Sequence, residues 1–336
     1  MPEGFTAILI AVLALAVIFD YINGFHDTAN AIATSVSTRA LKPGWAIAMS
    51  AAANFFGALT GTAVAKTVGA GLIQPQAESS DLGQVVVAAA LIGAIAWNLF
   101  TWRLAIPSSS SHALIGGLLG AAAASTGFDS WRIDGVVGKV LVPLVTSPVV
   151  GFLLALGMMV VIFNIFRRAN PHLMNDVFRR LQVLSAAYMA FSHGSNDAQK
   201  TMGLMTLALV GAGVIPEFSV PLWVIILAAT AISLGTAAGG WRIIKTMGTR
   251  VVKLDPVHGF AAETTAATII MGASTFGMPV STTHVISSAI IGVGASDRFS
   301  AVRWGVAGNI ITAWVLTIPA SGAVAWFAWE ILNLAL

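Results

Sequence analysis

Cysteine is absent from the 336-residue chain, which excludes disulfides, thiolate nucleophiles and thiolate metal sites. Charge is almost as scarce, at 9% of residues against roughly a quarter in a soluble domain, so no water-facing surface of ordinary composition can be built. Hydrophobic residues make up 57%. Apolar runs of about 18 residues or more recur from end to end, each long enough to cross a hydrocarbon core about 30 Å thick as a helix. The fold class that follows is an all-α polytopic membrane protein embedded in a lipid bilayer. The formal charge of +3 hints at nucleic acid only in a soluble chain. Here the Lys and Arg collect in short loops, where they act as orientation signals, and nucleic-acid binding is not supported. The first apolar stretch, Phe5 to Phe19, lacks a preceding basic region and runs into a polar motif, so it reads as a retained helix and not a signal peptide.

Breaks between apolar runs place ten candidate spans near residues 4–35, 45–65, 84–102, 107–126, 136–165, 183–214, 220–239, 257–276, 278–295 and 303–332. Arg167, Arg168, Arg179 and Arg180 mark the central loop, and Arg242, Lys245, Arg250 and Lys253 mark a later one, as cytoplasmic. Parity then puts both termini on the extracytoplasmic side of a multi-pass protein of the cell membrane.

The chain also repeats itself. Asn23-Gly24-Phe25-His26-Asp27 resembles His193-Gly194-Ser195-Asn196-Asp197, and Pro107-Ser108-Ser109-Ser110-Ser111-His112 matches Pro279-Val280-Ser281-Thr282-Thr283-His284. The Asp pair lies 170 positions apart and the Pro pair 172. Two motifs recurring in order at nearly one offset mark a duplicated unit. Five crossings per half give the halves opposite orientations, the inverted-repeat arrangement of secondary transporters, with broken helices at the substrate site. The expected organisation is a first repeat over 1–163, a cytoplasmic linker over 164–182 and a second repeat over 183–336.

Asp27 and Asp197 sit in apolar segments, where a carboxylate costs at least ~2.5–3.5 kcal/mol unless it faces a cavity or partner. Each follows a Gly expected to let its helix open and expose carbonyls, which suits a hard cation or a proton. A capping role is the plainer alternative. Glu263 is a third intramembrane carboxylate for cation coupling, unless it lies at the membrane interface. Pro107 and Pro279 stop one helix, so Ser108, Ser109, Ser110 and Ser111, and Ser281, Thr282 and Thr283, fall at the first turn of the next. Hydroxyls, free N–H groups and the positive dipole end converge there on an oxyanion. Ser and Thr are also ordinary caps. His112 and His284 close the two motifs as packing residues or a proton relay. Asn30, Asn196, Gln199 and Lys200 flank the Asp motifs and join the candidate anion contacts. Lys200 balances anion charge or pairs with Asp197, with no preference between the two. An intramembrane Ser-His-Asp hydrolase is a remote reading, because four consecutive hydroxyls leave no privileged nucleophile.

The strings GFHDTANAIAT (24–34), SHGSNDAQKTMG (192–203), IPSSSSH (106–112) and MPVSTTH (278–284), with Gly259-Phe260 and Glu263, resemble the inorganic phosphate transporter (PiT) family, bacterial branch, over nearly the whole chain. The resemblance implies symport of inorganic phosphate with Na⁺ or H⁺, no cofactor beyond the co-transported ion, and a homodimer. It gives Asp27 and Asp197 the coupling role, as metal ligands if the ion is Na⁺, and the Ser/Thr clusters the phosphate contacts. Some bacterial members carry metal–phosphate complexes and others sulfate, so sulfate permease is the alternative. Asn54 stands where eukaryotic members have a Glu.

Overall fold

The computed structural model describes residues 6–73 and 81–334; the terminal residues whose side of the membrane parity assigns lie outside these. All the regular structure among the described residues is helical. The first half contains α1 (Ala7–Ser37), α2 (Pro43–Ala58), α3 (Ala63–Ala70), α4 (Asp81–Arg103), α5 (Ser110–Thr126) and α6 (Ile133–Val136), which runs through a π-helical turn into α7 (Val142–Phe166). The second half contains α8 (Pro171–Gly211), α9 (Leu222–Ala238), α10 (Trp241–Lys245) with a π turn after it, α11 (Pro256–Thr275), α12 (Thr282–Asp297) and α13 (Trp304–Leu334).

The order of elements repeats, and so does the packing. α1 packs on α9 as α8 packs on α2; α4 packs on α5 as α11 does on α12; α5 packs on α13 as α12 does on α7. The halves are thus interleaved, each short helix lying against the last helix of the other half. Both also contain a sharply bent pair, 73° between α2 and α3 and 60° between α9 and the helix after it.

Four described helices are long and apolar enough to cross a membrane, or six if each bent pair is one span. That is fewer than the ten expected crossings. α5 and α12 have only 17 and 16 residues, about 25 Å at 1.5 Å per residue, because each starts inside the protein after an extended stretch. α8 is long, but its middle is too polar to read as a span from hydropathy alone.

Two expectations change. The segment 164–182 is not a loop throughout: α7 ends at Phe166 and α8 begins at Pro171, with the Asn170 side chain accepting from His172 N at 2.9 Å. Asn170-Pro171 ends one helix and, with proline at the first position, also starts the next. Nor do α1 and α8 open at their Asp motifs; both are continuous there. The glycines serve close packing instead. A Cβ at Gly24 would meet Ile232 O and the Thr236 N of α9, and one at Gly194 would meet the Asn54 backbone of α2.

Two apolar clusters form, one around Phe19, Leu91, Leu118 and Leu204 and the other around Ile32, Met159, Met189 and Ile290. α1 and α8 run through both. Their Asp motifs fall at the waist between them, where the protein concentrates its buried polar groups.

Candidate functional site

A polar stripe runs along α1 at helical spacing: Asp20, Asn23, Asp27, Asn30 and Thr34, all buried. α8 presents Gln182, Ser185, His193, Asn196, Asp197, Lys200 and Thr201 toward the same interior. The two stripes meet the N-termini of α5 and α12.

Those N-termini form as the Pro-Ser/Thr strings require. Ser109 caps α5, its Oγ accepting from His112 N at 3.1 Å, and Ser281 caps α12, accepting from His284 N at 3.2 Å. The next hydroxyl in each cluster reaches the aspartate of its own half. Ser110 Oγ donates to Asp27 Oδ2 at 2.8 Å, and Thr282 Oγ1 donates to Asp197 Oδ2 at 3.2 Å. The hydroxyl after that is met from the opposite half. Asn30 Nδ2 donates to Thr283 Oγ1 at 3.0 Å, and Lys200 Nζ donates to Ser111 Oγ at 2.5 Å. These four contacts form two equivalent pairs, so the sequence repeat is also a repeat of the site. His112 and His284 meet where the halves join, with ring centroids 4.6 Å apart, and Trp314 stacks on His284 at 4.0 Å. Both nitrogens of His284 and Nδ1 of His112 have no hydrogen-bond partner.

The surroundings of the two carboxylates differ. Asp27 Oδ1 lies 2.6 Å from His26 Nδ1, whose ring continues to Thr101 Oγ1 at 3.2 Å. Asp197 is bonded by the ammonium of Lys200 and lies 3.3 Å from His193 Nε2. His193 Nδ1 lies 2.9 Å from Asn54 Oδ1, and the Asn54 amide nitrogen donates to Thr236 at 2.8 Å. An amide oxygen can only accept, so Nδ1 carries a hydrogen, which leaves Nε2 an acceptor when the ring is neutral. That nitrogen is buried without a hydrogen-bond partner. Asp27, His193 and Asp197 each offer one ligand atom, all within 4.8 Å of one another. Three acceptors facing each other repel unless a cation or proton lies among them.

The other expected residues are distributed unevenly. Ser108 Oγ donates to Thr101 Oγ1 at 2.8 Å and stands 3.5 Å from His26 Nε2. Asn196 ties down the link before α12, donating to Ser274 Oγ at 2.8 Å and Met278 O at 3.3 Å. Gln199 turns away from the aspartates; its Oε1 accepts from Val64 N at 2.8 Å, capping the start of α3. Glu263 is fully buried and forms a cluster of its own. Thr34 and Ser185 donate to it, and Gln182 Nε2 lies 3.3 Å away.

Sequence reasoning passed over several participants. Asp20, whose Oδ1 accepts from Thr201 at 2.9 Å, was open to the same insertion-cost argument that selected Asp27. The three-and-four spacing along α1 would have led to it. His193 lay inside a recognised motif, and its role became visible only once Asn54 was placed beside it.

The family model for the phosphate transporter family matches residues 23–325. A probable low-affinity inorganic phosphate transporter of Bacillus subtilis (strain 168) is 49% identical, with 97% of each chain covered. A protein of the same description from Rhizobium meliloti (strain 1021) is 49% identical over 94% of each chain. A solved structure described as the sodium-dependent phosphate transporter superposes with a TM-score of 0.89 at 26% identity, over 98% of this chain and 100% of that one.

Proposed function

The chain belongs to the phosphate transporter family, and from that premise we propose that it is a secondary transporter moving inorganic phosphate across the cell membrane by symport with a cation. The observation that carries this reading is the pair of capped helix N-termini whose hydroxyls reach Asp27 and Asp197 in the same way from two halves. N-terminal N–H groups and hydroxyls suit a tetrahedral oxyanion. The adjoining carboxylates suit the cation that must accompany it.

Charge dictates the coupling. A phosphate dianion beside two buried carboxylates brings about four negative charges together, which low-dielectric surroundings do not tolerate unless cations or protons enter too. Asp27, Asp197 and His193 Nε2 provide the acceptors for that ion. Na⁺ is favoured by the solved relative described as sodium-dependent, and H⁺ is the rival. Inverted symmetry of the halves then gives each membrane face an equivalent route to one central site. The cytoplasmic placement of the central segment and a homodimeric assembly belong to the same proposal.

Hydrolysis finds no support, because the family and its relatives are transporters. The nearest Ser-His-Asp grouping, Ser108-His26-Asp27, has its hydroxyl committed to Thr101. Sulfate is the substrate to test against. Uptake of labelled phosphate into proteoliposomes, with Na⁺ and pH gradients imposed separately and sulfate as competitor, decides the reading. Phosphate accumulation driven by one gradient and resistant to sulfate is expected; accumulation of sulfate in preference to phosphate would overturn it.

A further inference from the structure

We propose that Lys200 is a tethered cation: its ammonium fills the position in the second half that a co-transported cation would otherwise take, leaving only the first half's carboxylate to bring an ion with each phosphate. The inference rests on the symport reading above and concerns how many ions that symport uses.

The ammonium is held by Asp197 Oδ1, Ser111 Oγ at 2.5 Å and Val280 O at 3.0 Å. A carboxylate, a hydroxyl and a backbone carbonyl form the kind of all-oxygen set that hard cations take. Lys has three donors and no acceptor, so these three oxygens use all its N–H groups. None remains for the phosphate contact expected of it from the sequence. The side chain is 2% exposed and stands one turn along α8 from Asp197, so it travels with that carboxylate and cannot be exchanged for a solvent ion.

The first half supplies the control. Asn30 takes the place of Lys200, and it meets Thr283 just as Lys200 meets Ser111. Its amide carries no charge. Asp27 therefore has hydrogen-bonding neighbours, Ser110 and His26, but no Lys or Arg within its set. One half thus carries its own counter-ion, and the other must import one.

The test uses the purified full chain and two exchanges between the halves, Lys200→Asn and Asn30→Lys. In proteoliposomes, phosphate is set against imposed Na⁺ and H⁺ gradients, and the gradient at which net flux reverses is measured. Lys200→Asn should import one more cation per phosphate, so a tenfold ion gradient should support about tenfold more phosphate accumulation than in wild type. Asn30→Lys should lose the ion dependence of phosphate binding. In detergent without phosphate, the Tm of Lys200→Asn should rise more steeply with Na⁺ or fall more steeply with pH than that of wild type. An unchanged reversal gradient and unchanged Tm dependence in Lys200→Asn would overturn the proposal. If that variant does not fold, wild-type ion dependence in Asn30→Lys overturns it equally. A wild type that moves no phosphate defeats the symport reading alone, since the Tm measurement still decides whether Lys200 occupies a cation position.

Discussion

The two halves of this protein share a layout but not a charge. Asp27 and Asp197 occupy equivalent positions, each met by the hydroxyl that follows a helix cap. Asp27 is answered by neutral or neutralisable groups, whereas Asp197 is answered by a lysine. Asp20 widens the contrast, because its counterpart in the second half is Ala190. Duplication explains the scaffold. On the proposed reading, the substitutions between the halves decide which half exchanges ions with water and which stays fixed, so geometric symmetry need not bring energetic symmetry.

The most absolute test addresses the inversion of the halves. The chain has no Cys, so single cysteines can be introduced without background. Cys at exposed positions 172 and 253 should be protected from an impermeant thiol reagent in right-side-out vesicles, and Cys at exposed 128 and 217 should be labelled. Labelling of all four from one side would break the inverted repeat.

Next in size are the carboxylates. Asp27→Asn should abolish gradient-driven uptake, since Asn keeps the shape and removes the charge that brings the ion, and Asp197→Asn should abolish it by freeing the Lys200 ammonium from its partner. Their stabilities should differ: Asp197→Asn strands a buried ammonium, at about 3–5 kcal/mol, while Asp27→Asn loses only hydrogen bonds, at about 1–3 kcal/mol. Adding Lys200→Asn to Asp197→Asn should recover most of the loss. Equal thermal unfolding of the two single variants would contradict the asymmetry.

Smaller effects test the equivalence. Ser110→Ala and Thr282→Val each remove a hydroxyl donor to a carboxylate; each should cost about 1.5–3 kcal/mol of stability and, by releasing that carboxylate from its helix start, weaken phosphate binding. A titration in which one variant binds like wild type would show that the clusters do different work. The smallest expected change is at the caps: Ser109→Ala and Ser281→Ala should each cost about 1 kcal/mol of stability. Matching losses in denaturant unfolding would sharpen the view that both termini are built alike.

Much of this was legible in the chain. The helix starts at Ser110 and Thr282 follow from Pro and a hydroxyl cap, and local chemistry of that kind needs no tertiary information. The repeat was legible because 170 positions separate matching strings. The fate of the glycines was not: Gly24 and Gly194 permit either an opened helix or a close crossing, and only the backbones of α9 and α2 against them select the crossing. Glu263 was recognisable as a buried carboxylate, but its partners Thr34, Ser185 and Gln182 come from two other helices.

The sequence alone therefore determined the solvent in which the chain folds, its duplicated plan and which side chains would be costly to bury. Each of these depends on composition or on contacts within a few residues. Tertiary structure decided the pairing: that Lys200 meets Ser111 and Val280 while Asn30 meets Thr283, and that Asn54 orients His193. Those contacts join groups from about 80 to 250 positions apart, and a buried polar group takes whichever partner packing brings within reach, because leaving it unpaired costs more than any local preference.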